Sequence, residues 1–294
     1  MIAIFLPSIF LLTTLVTIET ASERDVLIDF YHSTSGSDWI SQDNWLSSTV
    51  PYCQWHGVLC DDLNHVIEIQ LYDNELNGPL PATLCHLTHL KTLYLSFNSI
   101  SGSLISNIGD CSKLENIWLK ANKLQGFIPQ TICDCSNLQW LDLHDNQLTG
   151  QIPDCIGKLQ NLTVLRIDNN ELSGAIPENL YSMTKLQEIY AHKNRLTGAV
   201  SPSIHQLVNL QHLFLGSNNL SEIFPESIVT LRNLTTLEMQ FNHVSGTIFK
   251  ELDSMPALQV LRLDHNEFSE SQFECSEKLQ VCDISYNKFD ALFH

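Results

Sequence analysis

Residues 138–154 read LQWLDLHDNQLTGQIPD, and the fold turns on how their apolar positions are spaced. Leu138, Leu141, Leu143, Leu148 and Ile152 follow intervals of three, two, five and four. These intervals sustain neither the period of a helix nor the period of a strand. They describe a whole coil of chain, provided the coil recurs.

It does recur. Leu90-Lys-Thr-Leu-Tyr-Leu-Ser-Phe-Asn98, Leu114-Glu-Asn-Ile-Trp-Leu-Lys-Ala-Asn122 and Leu162-Thr-Val-Leu-Arg-Ile-Asp-Asn-Asn170 hold the same frame. So do segments starting at Val66, Leu186, Leu210, Leu234, Leu258 and Leu279; the starts fall 24 residues apart until the last, which comes after 21. Within L-x-x-L-x-L the local period is two, which predicts a short strand with its leucines turned inward. An Asn follows in every segment: Asn74, Asn98, Asn122, Asn146, Asn170, Asn194, Asn218, Asn242, Asn266 and Asn287. Its amide can satisfy backbone groups that a tight inner bend leaves unpaired, so an internal hydrogen-bonded ladder is expected.

The rest of the unit, as in Leu148-Thr-Gly-Gln-Ile-Pro153, has a Gly that permits backbone angles closed to other residues and a Pro that blocks a helix. The final turn, Cys155 to Leu159 in this unit, predicts a short helical or 3₁₀ segment pointing Ile156 and Leu159 inward. One coil cannot bury its own apolar edge; stacked coils can, and stability then accumulates between neighbours.

The pattern L-x-x-L-x-L-x-x-N-x-L-x-G-x-I-P resembles the plant-type extracellular leucine-rich repeats, from about Val66 to Phe289. The resemblance implies an α/β leucine-rich-repeat solenoid, a right-handed superhelix. A parallel β-sheet would line its concave face and short 3₁₀ or helical turns its convex face. Departures are local: Ile105 and Phe249 replace the Pro, Pro202 lies one residue late, and the unit after Phe268 lacks both Gly and Pro.

A solenoid exposes core at both ends and needs caps. In residues 22–65, Ser22 to Asp25 can cap a helix whose inner stripe is Val26, Leu27, Phe30 and Tyr31. Trp39, Trp45 and Cys53-Gln-Trp-His-Gly-Val-Leu-Cys60 follow, similar to the cap preceding plant-type repeats. The resemblance implies that the tryptophans cover the first coil and that Cys53 and Cys60 pair in an oxidising exterior. Repeats then occupy 66–274, and the last repeat with a C-terminal cap occupies 275–294, where Cys275 and Cys282 are expected to pair. Cys111 and Cys135 take a buried leucine slot, and Cys85 and Cys133 a neighbouring one. They read as free cysteines packing as small hydrophobes, with the pairing of these four and of Cys155 left open.

The N-terminal MIAIFLPSIFLLTTLVTI turns polar at Glu19 and reads as a signal peptide over residues 1–21. It lacks Lys and Arg, so an uncleaved anchor is the alternative. Apart from that run, no segment is apolar enough to insert the mature chain in a membrane. Asn161, Asn219 and Asn233 open N-glycosylation triplets, consistent with secretion to the cell wall or matrix. The net charge of −18, without any basic cluster, argues against nucleic acid and anionic membranes as partners.

The x positions of the strands face solvent on the concave sheet. They gather Tyr72, Tyr94, Phe97, Trp118 and Trp140 in one half and Tyr190, Phe214 and Phe241 in the other, with Lys120, Asp142, His144 and Arg166 among them. Exposed rings on a concave surface are residue types that anchor protein interfaces. This set is the candidate site for an extracellular protein or peptide, with a glycan as the alternative.

No catalytic residue, metal or cofactor is assigned. Asp142, Asp145 and Asp168 read as solvated acids beside Lys120 and Arg166, because an open sheet gives no burial to split their pKa values. Among look-alike families are the polygalacturonase-inhibiting proteins and the ectodomains of leucine-rich-repeat receptor kinases. The resemblance implies a secreted, non-enzymatic recognition protein, in one form a defence inhibitor of a cell-wall hydrolase. The alternatives are a soluble sensing partner of a membrane receptor and a structural wall protein.

Overall fold

Alternating inward leucines leave each coil one short extended segment, Trp140–Asp142 in the coil quoted above. A lone strand of this length has no stability of its own, so it persists by pairing with its copies in adjacent coils. The computed structural model describes residues 22–289; the expected signal peptide lies outside them. Among the described residues these segments form an 11-stranded sheet. Its first strand, Val58–Cys60, belongs to the cap and runs antiparallel. The rest are parallel, each residue facing its equivalent in the next coil, as in Trp118 with Asp142 and Asp142 with Arg166.

The asparagine ladder holds the inner bend. Asn146 Nδ2 donates to Leu119 O at 2.9 Å and Leu143 O at 3.0 Å, while its Oδ1 accepts from Leu124 N at 3.0 Å. Asn170 repeats these bonds one coil on, with Leu143 O, Ile167 O and Leu148 N. Asn74 ties the first coil to the cap instead, bonding the backbone of Ser41 in both directions. The residue before each Asn turns the chain with positive φ, +59° at Phe97 and +58° at Phe241. Every coil does this, so the left-handed angle belongs to the turn.

Beyond the Asn, a second, seven-stranded parallel sheet runs from Asn77–Pro79 to Asn219–Leu220, which the sequence reading did not foresee. It needs glycine for a left-handed backbone angle: Gly150 has φ +77°, and a Cβ there would also collide with the Phe127 ring. The convex face carries 3₁₀ segments such as Asp154–Lys158, with Ile156 and Leu159 buried. A second amide ladder laces that face: Asn137, Asn161, Asn209 and Asn233 each donate to a carbonyl of the preceding coil at 2.8–2.9 Å. Two of the three glycosylation triplets therefore begin on amides with a structural bond, Asn161 and Asn233, while Asn219 is exposed, as is Asn233.

The cap is a helix, Glu23–Ser33, opened by a capping box between Ser22 and Asp25. Its apolar stripe meets Trp39 and Trp45, Trp45 packs on Trp55, and all three are buried, with Trp39 edge-on to Trp45 at 4.9 Å. Cys53–Cys60 and Cys275–Cys282 are disulfide-bonded.

The reading of Cys85, Cys111 and Cys133 as free cysteines is corrected. Cys85 bonds Cys111 and Cys133 bonds Cys155, with Cα–Cα distances of 4.6 and 5.9 Å. Their separations, 26 and 22 residues, are close to one repeat, and stacking places such residues side by side. Cys135 alone is free, buried against Ile108 O; desolvation and the Asp134 charge push its thiol up to about 12.

Candidate functional site

On the concave sheet, successive strands set equivalent side chains about 4.8 Å apart. Rings on consecutive coils therefore touch. Tyr72 lies 5.3 Å from Tyr94 and 5.2 Å from Phe97, Tyr94 lies 5.4 Å from Trp118, and Trp118 lies 6.0 Å from Trp140. Lys120 Nζ stands 4.8 Å over the Phe97 ring. Together with Arg166 they line a groove of about 710 Å³. Tyr72 and Phe97 stay 45% and 41% exposed, an apolar surface of the kind a partner covers.

The second ring group lies further along. Tyr190 and Phe214 are stacked at 4.6 Å, and the Arg166 guanidinium sits 4.5 Å over the Tyr190 ring. Desolvation, reinforced by Glu188, pushes the Tyr190 phenol up to about 12. Arg166 is also a wall of a second groove of about 370 Å³, lined by Asp168, His192, Phe214, Glu238 and Gln240. Phe241 falls outside both grooves; it is 49% exposed and stacks on His265 at 4.3 Å.

Two expected contact residues are recessed: Asp142 and His144 are 4% and 3% exposed and lie in the walls of the first and second grooves respectively. Asp142 is a short side chain whose register neighbours are Trp118 and Arg166, and these overhang it. His144 is held between two carboxylates, with Nδ1 2.5 Å from Asp142 Oδ1 and Nε2 3.6 Å from Asp145 Oδ2.

The reading of Asp142 and Asp168 as solvated acids fails for the same reason. Asp168 is 2% exposed. Burial raises its pKa, opposed by His192, His144 and Arg166; burial lowers that of His192 against the pull of Asp168. An open sheet thus does desolvate a carboxylate, because long side chains from flanking coils roof it over. Asp168 and His192 stand out in the sequence as aligned titratable residues of consecutive repeats, whereas Glu238 and Gln240 are legible as concave positions with no signal that sets them apart.

The family profile described as "Leucine-rich repeat region" matches residues 62–293, and "Leucine rich repeat N-terminal domain" matches 20–61. The chain belongs to the leucine-rich-repeat family. This leucine-rich-repeat chain is similar to receptor-like protein kinase 5 of Arabidopsis thaliana, 39% identical over 54 residues, 18% of this chain and 5% of the kinase. Among solved structures it is similar to the Arabidopsis receptor kinase HAESA in complex with the peptide hormone IDA and the co-receptor SERK1. The identity is 30% with a TM-score of 0.77, covering 90% of this chain and 44% of that one. A plant ice-binding protein is 26% identical with a TM-score of 0.75, covering 90% of this chain and 86% of the other. The chain therefore spans less than half of the receptors it resembles. No helix among the described residues is long and apolar enough to cross a membrane.

Proposed function

We propose that this chain is an extracellular recognition protein that seats a segment of another protein, foremost a peptide, along its concave sheet. The observation that carries the reading is the half-exposed run of touching rings from Tyr72 to Trp140 over a groove of about 710 Å³. Rings held by their neighbours lose little conformational entropy on binding, which is why aromatic residues anchor interfaces. The peptide-hormone complex among the similar structures supports a chain-like ligand. Ice, the ligand of another, presents a lattice plane, which a concave aromatic groove does not match.

Four disulfides accord with an oxidising exterior, and a cell-wall or matrix location goes with that. Inhibition of a cell-wall hydrolase is the larger-ligand form of the same reading, in which a loop of the folded hydrolase occupies the groove.

The test is affinity capture from extracellular extract with the native protein and Trp118→Ala in parallel. A species held by the first and released at least about tenfold faster by the second is expected, with unfolding free energy changed by about 1 kcal/mol or less. Its size separates a peptide from a hydrolase. Equal capture by both proteins would show that the aromatic groove is not the site.

A further inference from the structure

Four buried side-chain atoms around the second groove lack a hydrogen-bond partner: Arg166 Nε, Asp168 Oδ1, His192 Nδ1 and Gln240 Oε1. Buried polar groups in native proteins are almost always paired, so a cluster of unpaired ones calls for an occupant. Three of the four lie on acceptor-capable groups, which favours an occupant rich in donors.

Three carboxylates, Asp145, Asp168 and Glu238, line the groove against the cations Arg166 and Lys193, which leaves an acidic excess. Asp168 is 2% exposed, and its Oδ1 stands 4.0 Å from Arg166 Nε, beyond hydrogen-bond distance. Glu238 is half-buried; its carboxylate accepts from Gln240 Nε2 at 3.2 Å and has no ion pair among the described residues. The cation that could neutralise it is turned away: Arg262, its register partner, directs Nε to Asp264 at 3.6 Å. On the other side the register partner of Glu238 is Phe214, whose ring is stacked on Tyr190. An aromatic face beside the unpaired Glu238 carboxylate attracts a cation through both the ring quadrupole and the full charge.

We propose that this groove is a subsite for a basic side chain, the ammonium of lysine or the guanidinium of arginine, on the peptide seated in the aromatic groove. The inference rests on the peptide reading above and gives it a direction. Phe214 lies four coils beyond Trp118, about 19 Å at the strand spacing, which an extended chain covers in roughly six residues. The ligand therefore pairs an apolar or aromatic residue with a basic one about six positions away. The excess of acids, 33 against 15 basic residues, favours such a ligand at long range as well.

The test pans a library of random 12-residue displayed peptides on native protein, Trp118→Ala, Asp168→Asn and Glu238→Gln near neutral pH, each variant first checked for cooperative thermal unfolding. An enriched peptide is then resynthesised with norleucine in place of its lysine or arginine. The expected result is a basic residue at fixed spacing from an apolar one, with the norleucine peptide about tenfold weaker on native protein and nearly unchanged on Glu238→Gln. Glu238 is half-buried, so that variant carries the test should Asp168→Asn not fold. Enrichment without a basic residue, with an acidic one, or with equal binding of the norleucine peptide overturns the subsite and leaves the groove reading standing. Failure of native protein to enrich any sequence over Trp118→Ala overturns both.

Discussion

Asp168 shows at the scale of one residue how a recognition surface draws on stability. Desolvation raises its carboxyl pKa in the folded chain above the ordinary value of 3.8, although His192, His144 and Arg166 pull it down. The folded state therefore holds its proton to higher pH than the unfolded state. The contribution to stability is present below the unfolded value and is lost as pH rises through the raised folded value. Asp168→Asn should be more stable than the native protein at neutral pH and flatten that part of the stability–pH curve, as read by urea titration across pH 3–7. A variant that is less stable at every pH would show that the ion pairs with His192 and Arg166 outweigh the desolvation. The burial behind this was not legible. A concave position is read as exposed from its period, but accessibility depends on the side chains of the flanking coils, and those are chosen one by one. Asp142 lies between a Trp and an Arg, whereas Tyr72 has no such roof and stays open.

Single coils were read more fully than single side chains. The strand, the asparagine ladder and the capping helix each follow from a local pattern with a direct mechanical reason. The second sheet was missed because L-x-G-x contains too few residues to display a period of two, and the glycine reads as a turn. The cross-coil disulfides were missed for want of one step: cysteines about one repeat apart are neighbours once the coils stack. Of the nine cysteines, only Cys135 should react when the unreduced protein is unfolded and alkylated, and none should react in the native protein, where its thiol is buried and pushed up to about 12. Peptide mapping by mass spectrometry reads this directly. Labelling of Cys85 or Cys155 in place of Cys135 would show a different pairing. Cys111→Ser should cost about 2–4 kcal/mol, the usual range for a lost disulfide, and leave a free Cys85 thiol against Ile108 O.

Across the whole molecule, stability is a sum of coil–coil interfaces, so it varies along the axis with how well each coil is covered on both sides. Central coils have two neighbours, and the Trp140–Asp142 strand is bonded to coils on either side. The cap gives the first coil comparable cover through three buried tryptophans. The strand at the other end, Val281–Asp283, pairs on one side only among the described residues. Val281 is 44% exposed, and Leu279 at 9% is the least buried leucine of its column. The Cys275–Cys282 bond is then a clasp on the least covered coil among the described residues, joining its strand to the segment that leads into it. Hydrogen exchange should run in that order: Val281–Asp283 amides should exchange by local opening, at rates well above those of Trp140–Asp142, whose exchange requires loss of several interfaces at once. Selective reduction of the exposed clasp should speed exchange at Val281–Asp283 and leave Trp140–Asp142 unchanged. Equal protection at both strands would mean that the solenoid opens as one unit, and recognition in the grooves would then be coupled to every coil.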